Sequence, residues 1–188
     1  MMGFLVSCGY QWQDAASLSV CVPFVEGDST GKLTNALIAA IDRSPYFGYR
    51  NGTSHNALSV RVQEKRTEII GFQKKKEPIS GEIRSVTRPN EHRDQLTLEV
   101  RLVSPIGRLI WGPEYIEGFV DYDYFDEHSL QDTSFIDRDH KRQASITFSL
   151  GELEGVFQAE QDASIYLYEM IAQKIVDRLS LKYDRFPR

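Results

Sequence analysis

Cysteine, surplus positive charge and long apolar runs are all scarce in this chain, and each scarcity excludes something. Two cysteines in 188 residues cannot build the disulfide framework on which small secreted scaffolds depend. The 22 Lys and Arg are outnumbered by 27 Asp and Glu, giving a net charge of -5 and a pI near 5.4, so the basic footprint of a nucleic-acid binder is missing. No apolar run approaches the roughly 18 residues that a membrane-spanning helix needs. No Gly-x-Ser-x-Gly elbow, Cys–His pair or glycine-rich dinucleotide turn occurs; that absence does not exclude an enzyme, but no residue reads as an activated nucleophile. What is present, 41% hydrophobic and 26% charged, is the composition of a globular chain long enough to bury a core.

The apolar residues fall into two periods. Leu18, Val20, Val22 and Phe24 alternate with Ser17, Ser19, Cys21 and Pro23, the period-two signature of a half-buried strand. Glu26-Gly27-Asp28-Ser29 breaks it and offers capping side chains, and from Thr30 to Arg43 the stripe Leu33, Leu37, Ala40, Ile41 predicts a helix that Ser44-Pro45 stops. Leu58, Val60 and Val62 alternate again in a strand expected to reach Phe72, and Lys74-Lys75-Lys76-Glu77-Pro78 reads as a charged loop. Leu96, Leu98, Val100 and Leu102 against Thr97, Glu99 and Arg101 make the clearest strand. Ser104-Pro105-Ile106-Gly107 reads as a tight turn, and a fourth strand returns through Leu109-Ile110-Trp111 towards Val120. Residues 121–143 lack a period and read as a long loop, with a short extra strand offered by Ala144–Leu150; a last helix spans about Gln158 to Lys182. Each strand has one polar face, unlike the strands of doubly wound parallel sheets. The fold class expected is therefore α+β: a two-layer sandwich of an about four-stranded mixed or antiparallel sheet with two amphipathic helices on one face.

Three local patterns invite chemistry. Gly27-Asp28-Ser29-Thr30-Gly31-Lys32 resembles a phosphate loop, but three residues rather than four separate its glycines and Leu33 follows the lysine, so a capped helix start is the better reading. Asp121, Asp123, Asp126, Glu127, His128, Asp137, Asp139 and His140 form an acidic, His-containing stretch. It lacks the spacing of calcium or zinc ligands and singles out no glycosidase pair; no metal is expected there. Lys74, Lys75 and Lys76, with Arg84 and Arg88 further along, are the one basic concentration in an acidic chain. Its two readings are a solvated turn that guards a strand edge and a contact for an anionic headgroup or phosphate.

At the N-terminus, Leu5-Val6-Ser7-Cys8 followed by Gly9-Tyr10 resembles the lipobox of bacterial lipoproteins. There the cysteine thiol takes a diacylglycerol and the peptidase cuts just before it. On that reading residues 1–7 are the remnant of a signal peptide, whose usual apolar stretch is about 7–15 residues; Cys8 is the lipidation site, and Cys21 is left without an intrachain partner. The competing reading is a chain that begins with a short apolar strand around a buried cysteine.

With these pieces in order, the chain resembles the LptE-like lipoproteins of lipopolysaccharide assembly. The resemblance rests on Cys8-Gly9-Tyr10, the Val22-Pro23-Phe24 step, the helix opening Lys32-Leu33-Thr34-Asn35-Ala36-Leu37, the hairpin through Gly107 and the closing helix from Ala163 to Leu179. It covers nearly all of residues 8–188, expected to be a single α+β domain, and leaves the stretch from about Tyr122 to Glu154 longer than the pattern asks. The resemblance implies an outer-membrane protein on the periplasmic face, held by its lipid anchor. Its implied partners are lipopolysaccharide and an LptD-like β-barrel, which it plugs and helps to assemble. It implies neither catalysis nor a cofactor. The basic residues at 74–76, 84 and 88 are then the candidate lipopolysaccharide contacts. The same strand–helix pattern also resembles auxiliary lipoprotein subunits of other envelope lipid-transport or export systems. A third class, a periplasmic enzyme on envelope polymers, would need a cleft with perturbed carboxylates.

Overall fold

The computed structural model describes residues 18–76, 83–124, 134–144 and 155–182. Cys8 lies outside them. The element order is β1 (Leu18–Cys21), α1 (Lys32–Asp42), β2 (Phe47–Tyr49), β3 (Asn56–Lys76), β4 (Ile83–Val103), β5 (Leu109–Asp123), β6 (Ser134–Ile136), β7 (Arg142–Ala144) and α2 (Val156–Ser180). Five strands form one mixed sheet in the order β2-β1-β3-β4-β5. β1 runs parallel to both β2 and β3, and β3, β4 and β5 form an antiparallel meander.

Both helices lie on one face, as the strand patterning requires. Leu58, Val60, Leu96, Leu98, Val100, Leu102 and Ile116 point from the sheet into a core completed by Leu33, Leu37 and Ile41 of α1 and Leu167, Ile171, Ile175 and Leu179 of α2. The first helix is capped as the sequence suggests. Asp28 accepts hydrogen bonds from the backbone N–H of Gly31 (2.9 Å) and Thr34 (2.9 Å) and from the Thr34 hydroxyl (2.9 Å). Thr34 Oγ1 in turn accepts from Val25 N (3.2 Å), which ties the end of the β1 segment to the helix. The turn at Ser104 closes with Gly107 N–H donating to Ser104 O (2.9 Å), with Gly107 at φ 79°, a conformation that glycine adopts without steric cost.

The differences from the sequence reading have physical causes. β1 ends at Cys21; past Pro23 the alternation inverts, so that Phe24 is exposed while Val25 is buried. The chain nevertheless stays beside β3, where Glu26 bridges Arg61 in parallel. The fifth strand, β2, has only three residues, too few to show a period, and is anchored by buried Phe47. The expected loop at 74–78 begins as strand, because β3 continues through Lys76, and β4 starts at Ile83 instead of near Leu96. Beyond the helices neither face needs an apolar residue, so the pattern fades although the hydrogen bonding does not. Likewise Asp121–Asp123 complete β5, and β6 and β7 pair as a small hairpin within and just beyond the expected 121–143 loop. The carboxylate of Asp137 accepts from the backbone N–H of Asp139 and Lys141, both at 2.9 Å, and so shapes that hairpin's turn.

Candidate functional site

Two regions bear on function: the far end of the β3–β4 hairpin, and a cleft between the helices. The hairpin's register brings the two basic stretches together. Lys74 lies opposite Thr87, Gln73 opposite Arg88, and Lys76 opposite Ile83, so sequence positions 74–76 and 84–88 share one end of one strand pair. Lys74 is exposed there. At about 3.3 Å per residue, the strand from Thr67, opposite buried Asp94, to Lys76 runs roughly 30 Å beyond the edge of the core. The arrangement is a projecting arm with Lys74, Lys75, Lys76, Arg84 and Arg88 distributed along its end.

The cleft depends on one irregularity. Between Val62 and Glu64 the β3–β4 register slips by one residue. A slip of one transfers the following side chains to the other face. Lys65 and Thr67 therefore continue the inward row of Leu58, Val60 and Val62. Lys65 Nζ meets Glu160 Oε1 of α2 at 3.0 Å. Burial pulls the Lys65 ammonium down, but the hydrogen bond and charge of Glu160 outweigh it, and the net shift is upward. Behind this pair, fully buried Asp94 accepts from Thr67 Oγ1 (2.7 Å). Tyr122 beside it has a phenol pushed far up, first by burial and then by the Asp94 charge. Tyr168 is raised for the same leading reason. A cavity of about 330 Å³ opens here, between the α1 entry loop and the first turns of α2, with Asp28, Lys32, Lys65, Glu160 and Tyr168 in its wall.

Asp28 and Lys32 belong to the window that resembles a phosphate loop; Lys65, Asp94, Glu160 and Tyr168 were not legible as a site. Lys65 and Glu160 are 95 positions apart, and the bulge that turns Lys65 inward leaves no mark in composition. Asp94 interrupts no visible stripe, because it lies just outside the clear alternation of β4. The six-residue window Gly27–Lys32 is a helix entry, as its spacing indicates, with Asp28 supplying the negative charge that a phosphate would. Among the described residues no group of His, Cys, Asp and Glu is arranged to hold a metal ion, and no helix is long and apolar enough to cross a membrane. Cys21 is half-buried and free, its thiol raised by burial.

The open face of the sheet is also more ordered than the polar pattern suggests. Glu99 is 7% exposed, held by Gln63 Nε2 at 2.6 Å and paired with Arg101. Arg93 binds Asp121 through two hydrogen bonds, of 2.6 and 2.7 Å, while its guanidinium sits 4.6 Å from the Phe119 ring centroid.

Comparison with known proteins gives this architecture a context. A minor lipoprotein from Acinetobacter baumannii shares the fold, with a TM-score of 0.51 at 14% identity over 92% of this chain and 98% of that one. A hypothetical protein from Chlamydia trachomatis gives 0.47 at 7% identity, covering 89% and 97%. An uncharacterized lipoprotein B from Nitrosomonas europaea gives 0.45 at 12%, covering 98% and 97%. No curated protein matches the sequence. Residues 18–179 match the model of the family described as LptE, lipopolysaccharide-assembly. The chain belongs to the LptE family, and is a lipid-anchored outer-membrane lipoprotein of the periplasmic face that serves lipopolysaccharide assembly as a structural factor and not as an enzyme.

Proposed function

We propose that this protein seats inside an LptD-like β-barrel and presents its β3–β4 arm to lipopolysaccharide, with Cys8 carrying the lipid that holds it at the membrane. The observation that carries the reading is the register that places the Lys74–Lys76 and Arg84–Arg88 stretches at one end of one hairpin. In a chain of net charge -5, that register gathers the basic positions at one end of one strand pair. Each contributes on the order of 1 kcal/mol beside an anionic lipid surface, screened beyond a Debye length of roughly 8 Å at physiological salt. The far end of a strand pair suits the task, because its charges can be met by phosphates without disturbing the core.

The test is a set of lipopolysaccharide-binding isotherms across a salt titration for the wild type and for Lys74→Ser/Lys75→Ser/Lys76→Ser. Weaker binding with a flatter salt dependence and an unchanged unfolding midpoint is the expected result. Isotherms that superimpose at every salt concentration reduce the arm to a charged strand end that resists aggregation. Co-purification with a large β-barrel examines the partner separately, and Cys8→Ser released from membranes in the native host examines the anchor.

A further inference from the structure

The sheet ends at β5, and the orientation of that strand's backbone can be read from two independent contacts. Tyr124 N–H donates to Asn90 O at 3.0 Å, which makes Asn90 and Tyr124 a hydrogen-bonded pair. The register runs without a slip from Glu91↔Asp123 to Glu99↔Tyr115. Since such pairs alternate along an antiparallel ladder, the even-numbered residues of β5 turn their N–H and C=O to β4. The odd-numbered ones, Tyr115, Glu117, Phe119 and Asp121, turn theirs outward. Lys174 of α2 confirms it, donating to the outward carbonyl of Glu117 at 3.1 Å.

Exposed apolar side chains flank this edge on both sides. On the open face Tyr115 and Phe119 are 63% and 54% exposed. On the helix side Met170 lies against Gly118, Tyr166 is one turn before it, and both are exposed. A groove of about 310 Å³ runs between β5 and α2 past Tyr115, Glu117, Lys174 and Leu181. An edge strand beside a helix, with apolar residues above and below a backbone whose outward groups, the Glu117 carbonyl apart, take no hydrogen bond among the described residues, is the geometry that accepts an added strand.

We propose that the β5 edge and the adjoining flank of α2 form a docking groove for an extended cationic polypeptide segment of another protein, with apolar residues at alternate positions. The sign comes from the open-face side of the edge, since the cations of the groove, Lys174 and Arg178, stand on its helix side, Arg178 paired with Glu114. Glu117 and Asp123 are exposed and have no ion-pair partner among the described residues, so their charge is available to lysine or arginine on the incoming strand. A second copy of this chain fits poorly. Antiparallel pairing about Phe119 sets Glu117 of one copy against Asp121 of the other, and like charges directly opposite are destabilising. The groove lies on the edge strand β5 and on α2, apart from the β3–β4 arm to which lipid contact is assigned.

The experiment uses isotope-labelled protein and two synthetic heptapeptides of alternating valine with lysine or with glutamate. Saturation with the lysine peptide should slow amide exchange at Tyr115, Phe119 and Asp121 by about tenfold or more, through newly formed interstrand hydrogen bonds. The glutamate peptide should leave these amides unchanged. Glu117→Lys should weaken the lysine peptide several-fold with no change in the thermal midpoint. Four results overturn the proposal: no slowing with the lysine peptide, equal slowing with both, amides already protected in the free protein, or protection that rises with protein concentration alone, which assigns the edge to self-association.

Discussion

Ile171 of α2 packs directly over the bare backbone of Gly118 in β5: a β carbon built on that glycine would lie 2.5 Å from Ile171 Cγ1 and 2.7 Å from its Cδ1. The glycine lets the closing helix come close enough to the sheet for Ile171 and Ile175 to reach full burial. Ile171 would have to shift, or helix and sheet to separate, before a side chain fitted between them. Gly118→Val is expected to destabilise the protein by about 1–3 kcal/mol through overpacking, measured by urea denaturation. Adding Ile171→Ala should recover part of that loss in a double-mutant cycle, whereas strictly additive costs would show that the two positions do not share one space.

Adjacent residues of β4 are expected to respond differently for reasons of face. Leu98 is fully buried under the helices, and Leu98→Asp places an unpaired charge there, so no cooperative unfolding transition should remain. Glu99 points to the open face, where alternation alone suggests that alanine costs nothing. Its hydrogen bond with Gln63 and its pairing with Arg101 raise the expected cost of Glu99→Ala to about 1 kcal/mol. A loss at Glu99 as large as that at Leu98 would mean that the faces are assigned wrongly.

The cap at Asp28 predicts a pH dependence. Burial pushes its carboxyl up, but hydrogen bonds from Thr34 and Thr30 outweigh this and hold it below the usual range. Between the folded and unfolded pKa values the unfolded chain binds more protons, so stability rises with pH there. The stabilisation is complete above the ordinary carboxylate value of about 3.9 and is lost as pH falls through the lower, folded value. Asp28→Ala should cost about 1–2 kcal/mol at neutral pH. The gap between the two proteins should narrow as acid protonates Asp28, as followed by denaturation midpoints from neutral pH downward; a gap that stays constant into strong acid would remove the carboxylate from the account.

Arg93 holds Asp121 below its ordinary titration range, chiefly through their hydrogen bond. Arg93→Ala should raise the Asp121 pKa, as read from side-chain carboxyl shifts in an NMR titration. The cost in stability should be small, since exposed ion pairs contribute little. An unmoved Asp121 titration would show that the pair does not persist in solution.

The layers of the fold were legible where burial imposes a period. Leu96 to Leu102 announces an inward-facing row, Leu33 to Ile41 announces a helix, and Asp28 announces its cap. Legibility stopped where the physics stopped being periodic. The upper halves of β3 and β4 are strands with little core to face, and β2 is too short to alternate. The cleft was hidden for another reason. Its Lys65–Glu160 pair depends on a one-residue slip in register, and its Asp94–Thr67 contact joins strands whose pairing only tertiary structure sets. The basic residues of the arm were visible as composition, while their meeting at one end followed from the register.

The length of the arm has a mechanical consequence. β3 and β4 each run for 21 residues, yet the rows that the helices cover extend only from about Leu58 to Thr67 and from about Asp94 to Leu102. The covered part opens only with the whole domain, whereas the part beyond it is held mainly by cross-strand bonds and can open alone. Amide exchange should therefore quicken stepwise from Leu98 towards Arg88, with opening of the far end needing a small fraction of the global unfolding free energy. Such a gradient lets the arm bend to the curvature of a confined wall while the helical body keeps its shape, as a cantilever yields at its tip and holds at its root.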